Sequence, residues 1–491
     1  MNLSKSHYTK GIQCPKALWL KKHKKEVLTP ADELDKAKLE TGSRVGELAC
    51  QLFSNGAKVA YSPNTALMQS STNAYLAQKL PYIYEATFEY QGLLVRVDIL
   101  KVDDDGVSIY EVKSATSVKN IYLHDLSIQY YVLNNLGFTI KSTNIVYINN
   151  KYVKNGVLEL EKLFVIKELS SEVEALQSNV STHLQEFENY LTDNQNEPTI
   201  EIGRHCHKPY ECDAKHYCWR VQAEIPEYSI FNIFNLGSKK QRELYGQGIV
   251  KIEDIPDDFA MTTNQARAVQ NHKSQMTFID QARIQTFCDA LVYPIYHLDF
   301  EAFQQAIPEF DGIQPFEQIP FQYSLHIEHE DGCVEHREFL AKEGEDPRAT
   351  VAQKLVENIP DHVTVLAYNM SFEKGVIKRL ALDFEAYASH LLRINDNMKD
   401  LMHPFRKKWY STAAMKGSYS IKYVLPALVP KLARAYEELD GVQDGSQAMN
   451  VFANLAKLER EEREKMRMSL LAYCKLDTLA MVEILGVLKR V

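Results

Sequence analysis

Val95-Arg96-Val97-Asp98-Ile99-Leu100-Lys101-Val102-Asp103-Asp104-Asp105-Gly106-Val107-Ser108-Ile109-Tyr110-Glu111-Val112-Lys113 is the stretch around which the front half of the chain is organised. Two β-type runs flank Asp103-Asp104-Asp105-Gly106, a strong hairpin turn signal. Strand alternation sets Arg96 and Asp98 on one face and Val95, Val97 and Ile99 on the other. On the return strand Glu111 and Lys113 fall together, opposite Tyr110 and Val112. Two carboxylates and an ammonium therefore meet on one side of the predicted hairpin. Carboxylate oxygens suit a hard cation such as Mg²⁺, which keeps several waters and binds substrate phosphates. A lysine beside them can orient an attacking water or stabilise charge developing on phosphate. The competing reading is an exposed polar face with a cross-strand ion pair.

The order Asp98…Glu111-x-Lys113 resembles the core of the PD-(D/E)XK nucleases. His124-Asp125-Leu126-Ser127-Ile128-Gln129-Tyr130 narrows the resemblance to their RecB-like branch, looking like the helix whose glutamine, here Gln129, helps hold the site. The resemblance implies a restriction-endonuclease-like α/β domain in which Asp98 and Glu111 hold metal and Lys113 and Gln129 assist. RecB-like nucleases usually carry a histidine ligand on an upstream helix. The amphipathic helix predicted around Thr41 to Phe53 has none; Glu47 is the substitute it offers, or simply a surface glutamate.

Outward from this core, composition sets bounds. A chain of 491 residues has room for two or three domains, each with its own core. Hydrophobic residues make up 45% and charged residues 25%, ordinary for a soluble protein, and no apolar run is long enough for a membrane helix. The first residues, MNLSKSHYTKGIQC, lack the apolar stretch of a signal peptide, so a cytoplasmic protein is expected. A net charge of −9 excludes a wholesale basic coat and confines any nucleic-acid surface to local patches such as Lys21-Lys22-His23-Lys24-Lys25.

Eight cysteines in a cytosolic chain point to metal or spare thiols rather than disulfides. Three of them, Cys206, Cys212 and Cys218, stand at C-x5-C-x5-C. Structural zinc prefers shorter spacing, and iron–sulfur clusters usually take four thiolates, so a fourth must come from elsewhere. CRISPR-associated RecB-like nucleases and AddB-type helicase-nucleases, which this part resembles, use one cysteine ahead of the core and three behind it to bind [4Fe–4S]. Cys14, followed by Pro15-Lys16 and Trp19, stands in that place. These families commonly show C-x2-C-x5-C, and the wider first gap here keeps zinc, with His205, His207 or His216, as the alternative. A cluster would tie the two ends of the domain together, closing a long loop.

Residues 156–196 read as polar and helix-forming, and 223–290 as a helical connector with glycine turns, vaguely like helix-hairpin-helix units. Beyond it, Tyr293-Pro294-Ile295-Tyr296-His297-Leu298-Asp299-Phe300-Glu301 reads as a buried strand with Asp299 and Glu301 on one face. A second strand ends at Asn369, followed by Ser371-Phe372-Glu373. On the last helix, expected from Met468 to Leu488, Tyr473 and Asp477 are i and i+4 and share a face. Acidic groups on separate elements beside a tyrosine meet the needs of two-metal phosphodiester hydrolysis, with cations roughly 3.5–4 Å apart. Arg406 to Tyr410 and Lys416 to Lys422 interleave basic and aromatic residues, either to grip single strands or to serve the core.

This last part resembles the DnaQ-like 3′–5′ exonucleases of RNase H-like fold, in their tyrosine-bearing DEDD subgroup. Asp299-Phe300-Glu301, Asn369-Met370-Ser371-Phe372-Glu373 and Tyr473-Cys474-Lys475-Leu476-Asp477 match its three motifs in order, with Glu373 where aspartate is usual. Asp400 resembles the aspartate that often follows the second motif. It also resembles an uncharacterised bacterial domain fused behind RecB-like nucleases. The expectation is therefore a multi-domain α/β protein: a PD-(D/E)XK nuclease domain with an iron–sulfur cluster over 1–222, a connector over 223–290, and an RNase H-like exonuclease domain over 291–491. Asp98, Glu111, Asp299, Glu301, Glu373 and Asp477 would bind Mg²⁺ or Mn²⁺, and the substrate would be DNA, single-stranded or at ends, with RNA open. The rival reading is a nucleic-acid-binding scaffold that has lost hydrolysis.

Overall fold

The computed structural model describes residues 2–491 as a mixed α/β protein that divides into two compact units. The first comprises Met1–Glu224 with Gln305–Phe316, and the second Ile225–Gln304 with Glu317–Val491.

Seven strands build the first unit: β1 (Leu3–Ser4), β2 (Gly56–Lys58), β3 (Tyr82–Tyr90), β4 (Leu93–Asp103), β5 (Gly106–Lys113), β6 (Ile140–Ile148) and β7 (Phe164–Glu168). They lie in the order β2-β3-β4-β5-β6-β7, with β1 parallel to the start of β4. The predicted turn forms where expected, since Asp103 pairs with Gly106 across it. β3, β4 and β5 run antiparallel, whereas β6 is parallel to β5. A parallel neighbour requires a crossover, supplied by the helix Asn120–Asn135. Apolar layers cover both sides of the hairpin, and the alternation expected to keep Val95, Val97 and Ile99 on one face breaks after Val97, opposite Glu85 at φ 58°: Val97 packs with Leu126 and Val132, and Ile99 with Val45, Phe53 and Val146.

The N-terminal segment is a series of separate helices. Helices span Lys5–Gln13 and Pro15–His23, and the next runs from Glu33 to Cys50, N-capped by Asp32, rather than from Thr41 to Phe53. Pro15 opens the second helix because it lacks the N–H that a continuing first helix needs. Within 156–196, β7 interrupts the expected helices by pairing with β6; its polar outer face hid it from a helix-or-strand reading.

In the second unit, β9 (Ile295–Phe303), β10 (Ile319–Glu328), β11 (Val334–Leu340), β12 (Thr364–Ala367) and β13 (Met398–Asp400) form a sheet in the order β11-β10-β9-β12-β13; β8 (Phe278–Ile279) pairs separately with β14 (Tyr410–Ser411). β9, β10 and β11 are antiparallel, and β12 and β13 join in parallel. β10 is buried along almost its whole length because helices cover both faces. Val376, Leu380 and Leu391 pack in one cluster and Met481, Ile484 and Leu485 of the final helix, Arg460–Leu488, in another. Residues 223–290 supply three short helices, Ser238–Gly246, Thr263–Ser274 and Gln281–Asp289. No helix among the described residues is long and apolar enough to cross a membrane.

One ion pair clamps the final helix to the sheet. Glu328 of β10 accepts from Lys489 Nζ at 2.7 Å and lies 3.1 Å from Nε2 of fully buried His297. Burial pushes the Glu328 carboxyl up, but His297 and Lys489 outweigh it and hold it at about 2. A carboxyl depressed on folding stabilises above its unfolded pKa and loses that contribution as pH falls towards the folded one. Stability of the second unit should therefore decline between about pH 4.5 and about 2. Glu328→Gln should cost about 1–3 kcal/mol at neutral pH and remove that part of the acid slope. Denaturant titrations across pH check this; identical slopes in both proteins contradict it.

Candidate active sites

In the second unit β9 presents Asp299 and Glu301 on one face, as the period of two requires. The final helix brings Asp477 to them, and single oxygens of the three carboxyls lie within 4.8 Å of one another. Side-chain bonds hold the helix there. Thr478 Oγ1 is 2.7 Å from both Ser324 Oγ and His326 Nδ1, and Gln322 Nε2 donates to the Leu470 carbonyl at 2.8 Å. Glu373 lies in the first turn of the helix Ser371–Asp383, 2% exposed, and its Oε2 has no hydrogen-bond partner. Asp400 Oδ1 accepts from the backbone N–H groups of Asn369 and Met402, both at 3.0 Å. It thereby fixes Asn369 at φ 71°, the bend that turns β12 into the Glu373 helix.

This concentration of acid governs the electrostatics. Burial, then Asp477, Glu301 and Glu373, push Asp299 well above the carboxylate range. Burial and Asp477 do the same to Glu301, and burial with Asp400 raises Glu373 to about 8. Burial lifts Asp477 to about 6, restrained by hydrogen bonding from Tyr436, the charge of Lys422 and the Tyr473 hydroxyl. A site that raises its own acids in this way has the donor set for a divalent cation, which reverses the repulsion. The unpartnered Glu373 oxygen fits the same use.

Two participants escaped the sequence reading, and a third, Lys422, was legible only as part of a basic–aromatic stretch. Tyr436 Oη donates to Asp477 Oδ1 at 2.6 Å, from an irregular segment that carries no pattern. Exposed Lys422 sends its charge toward Glu301 and Asp477. Cys474 lies with its thiol 3.7 Å from Asp299 Oδ2. Of the basic–aromatic residues, Lys408 is buried, with its ammonium over Phe234 and Tyr419, and serves the core.

The first unit gathers Asp98, Glu111, Lys113 and Gln129 as its sequence order implied. Asp98 Oδ2 accepts from the Val112 N–H at 2.8 Å, Gln129 Nε2 donates to Glu111 Oε2 at 2.8 Å, and Lys113 Nζ bonds Glu111 Oε1 at 2.6 Å. Two further residues join. Asp125, one turn before Gln129 on the same helix face, bonds Lys113, and Lys5 bonds both oxygens of Glu111 at 2.8 Å. Burial alone would raise Glu111, yet Lys113 and Lys5 hold it well below the usual range. Asp98, pushed up by burial and Glu111 against both lysines, titrates at about 7. Glu47 stands apart, exposed and 3.1 Å from Lys58.

Cys14, Cys206, Cys212 and Cys218 line one small cleft together with His205. Cys14 occupies the break between the first two helices, and Gly203 N–H lies 3.5 Å from Cys206 Sγ. Backbone N–H groups of Ala17 and Lys16 act on Cys14, and that of Ala214 on Cys212. Burial raises Cys212 and Cys218 to about 11, so thiolates there call for a compensating cation. His207 turns instead to Glu211. The four cysteines share this cleft, and their ligand atoms are not among those that converge within 4.8 Å in the described residues.

Without metal, carboxyls with raised pKa make the second unit lose stability as pH rises from about 4 through about 6 and 8. Asp299→Asn relieves the crowding and should stabilise the chelated protein by about 0.5–2 kcal/mol, a trade of function for stability. The same change should abolish the rise in Tm that Mn²⁺ gives the second unit. Thermal melts in EDTA and in Mn²⁺ test both; a destabilised variant that retains the Mn²⁺ shift contradicts the assignment.

Residues 296–420 match DUF2779, a domain of unknown function, a span that includes Asp299, Glu301, Glu373 and Asp400 and ends before Asp477. No curated protein matches the chain. Among solved structures it is similar to the crystal structure of SSO0001, at 16% identity over 38% of this chain and 88% of that one, with a TM-score of 0.14.

Proposed function

We propose that the chain is a metal-dependent nuclease with two hydrolytic folds in tandem, acting on DNA, single strands or ends favoured. The observation that carries this is the meeting of Asp299, Glu301 and Asp477 beside Tyr473, with the unpartnered buried carboxyl of Glu373 in the same acidic field. Support also comes from the sheet, in which β10 alone runs antiparallel, between β9 and β11, and two strands parallel to β9 follow on its other side, the arrangement expected of an RNase H-like domain. Mg²⁺ or Mn²⁺ held by the four carboxyls would supply the charge that stabilises the attacking and leaving oxygens. Tyr473 orients the attacking water and Lys422 offers its ammonium to a phosphate. In the first unit, Asp98 and Glu111 on adjacent strands with Gln129 on the crossover helix support a PD-(D/E)XK fold. There the metal would be held by Asp98 and Glu111, and Lys113 would meet the charge on phosphate. A [4Fe–4S] cluster on Cys14, Cys206, Cys212 and Cys218 would staple that unit's two ends. A cytoplasmic location accompanies this reading.

The second reading, a nucleic-acid scaffold with hydrolysis lost, is favoured in the first unit by carboxylates already paired to two lysines. Oligonucleotides blocked at either end separate the readings. Asp299→Ala should remove shortening from the 3′ end by about a thousandfold, as expected for a site that acts as a unit. Tyr473→Phe should lose about ten- to a hundredfold, the scale of an outer contact. A 3′ block should leave cutting by the first unit, which Asp98→Ala or Lys113→Ala then removes. Identical product ladders from wild type and Asp299→Ala on every substrate would make the second unit a binding module. Anaerobically purified protein should also carry iron and acid-labile sulfide, lost in Cys212→Ala; zinc alone identifies a different metal group.

A further inference from the structure

Lys5 occupies the centre of the first site. Its Nζ lies 2.8 Å from both Glu111 oxygens, 3.6 Å from Asp125 Oδ1 and 3.8 Å from Asp98 Oδ1. Lys113 sits to the side, bonding Glu111 and Asp125. One ammonium thus faces three carboxylates that come from two strands and the crossover helix.

The backbone puts Lys5 there deliberately. Leu3 and Ser4 pair with Leu93 and Leu94 at the start of β4, and Ser4 then caps the helix with a capping box to His7. Lys5 is therefore the first helical residue, anchored against the strand that carries Asp98. A cation in the first turn opposes the helix dipole, and no acid in that turn offsets it. A residue that breaks a local preference and lands among functional carboxylates has its reason there. Lysine suits the role: a compact charge on a flexible four-carbon stem can leave its pocket without moving the backbone.

We propose that Lys5 is a tethered cation holding the place among Asp98, Glu111 and Asp125 that a divalent ion takes, so that loading the first site exchanges ammonium for metal. The inference rests on the reading of the first unit as metal-dependent. The displaced ammonium, on its short tether, becomes available to a substrate phosphate.

Two measurements test the exchange. Calorimetric titration of Mn²⁺ into the full chain carrying Asp299→Asn and Asp477→Asn isolates the first site. Adding Lys5→Gln should tighten binding there by about tenfold or more, the scale set by removal of one close competing charge, whereas Lys5→Arg should leave it near the parent. A parent and Lys5→Gln of equal affinity overturn the role of Lys5 while leaving the metal site. Loss of all Mn²⁺ binding in the first unit, with Asp98→Asn making no difference, overturns the metal-dependent reading as well. Because Lys5→Gln leaves buried carboxylates short of a partner and can fail to fold, the second measurement uses the unaltered protein. Acylation of the Lys5 amine, followed by mass spectrometry, should accelerate several-fold at saturating Mn²⁺; an unchanged rate sinks the exchange.

Discussion

Crowding of buried carboxyls is the constraint on which the second unit depends. Asp299, Glu301 and Asp477 are drawn to one point although each raises the free energy of ionising the others. Such a cluster persists only if the surrounding structure over-determines it. The means are visible: β9 fixes two acids by its pleat, Thr478 ties the final helix to Ser324 and His326 one residue beyond Asp477, and Tyr436 bonds Asp477 itself. Asp400 spends its own carboxylate on backbone N–H groups, securing the bend ahead of Glu373. The departure from aspartate at position 373 thus sits on a well-supported helix start, where a longer side chain has been accommodated.

How much of this was legible depended on the range of the contact. Period-two and i,i+4 spacing are local properties of strand and helix, so Asp299 with Glu301, Glu111 with Lys113, and Tyr473 with Asp477 could be placed on common faces beforehand. The Asp-Gly turn fixed a register, and with it the meeting of Asp98 and Glu111. Asp125 belongs to the same local pattern, one helical turn before Gln129 on the same face. Lys5 does not: it meets Glu111 only because β1 docks beside β4, and no local pattern encodes that pairing. Tyr436 comes from a segment without periodicity and was equally hidden. β7 was hidden because an edge strand with Ile166, Lys167 and Glu168 all exposed has too little alternation to separate it from a polar helix.

The cysteines show both limits together. Clustering of Cys206, Cys212 and Cys218 was plain from spacing, but Cys14 joins them only through the packing of the first two helices on the segment that follows Asp193. Trp19 helps to make that contact, donating its indole N–H to the Asp193 carbonyl at 2.7 Å. Gln13 adds two bonds to the carbonyls of His205 and Tyr210. The cleft is thus closed by ordinary hydrogen bonds as well as by any group the thiols hold.

The two sites answer one electrostatic problem in opposite ways. In the second unit carboxyls face each other and rise in pKa until a cation is supplied; in the first, Lys5 and Lys113 supply charge from within and pull Glu111 down. An uncompensated cluster costs stability and holds protons where it lacks a partner cation. A compensated cluster keeps its fold at rest, yet any incoming metal must first outcompete an ammonium held at high effective concentration by its own backbone. Asp98 and Asp125 are both pushed up by burial and by Glu111 despite the two lysines. The contrast between the two carboxylate clusters follows from where two lysines fall and not from the acids themselves.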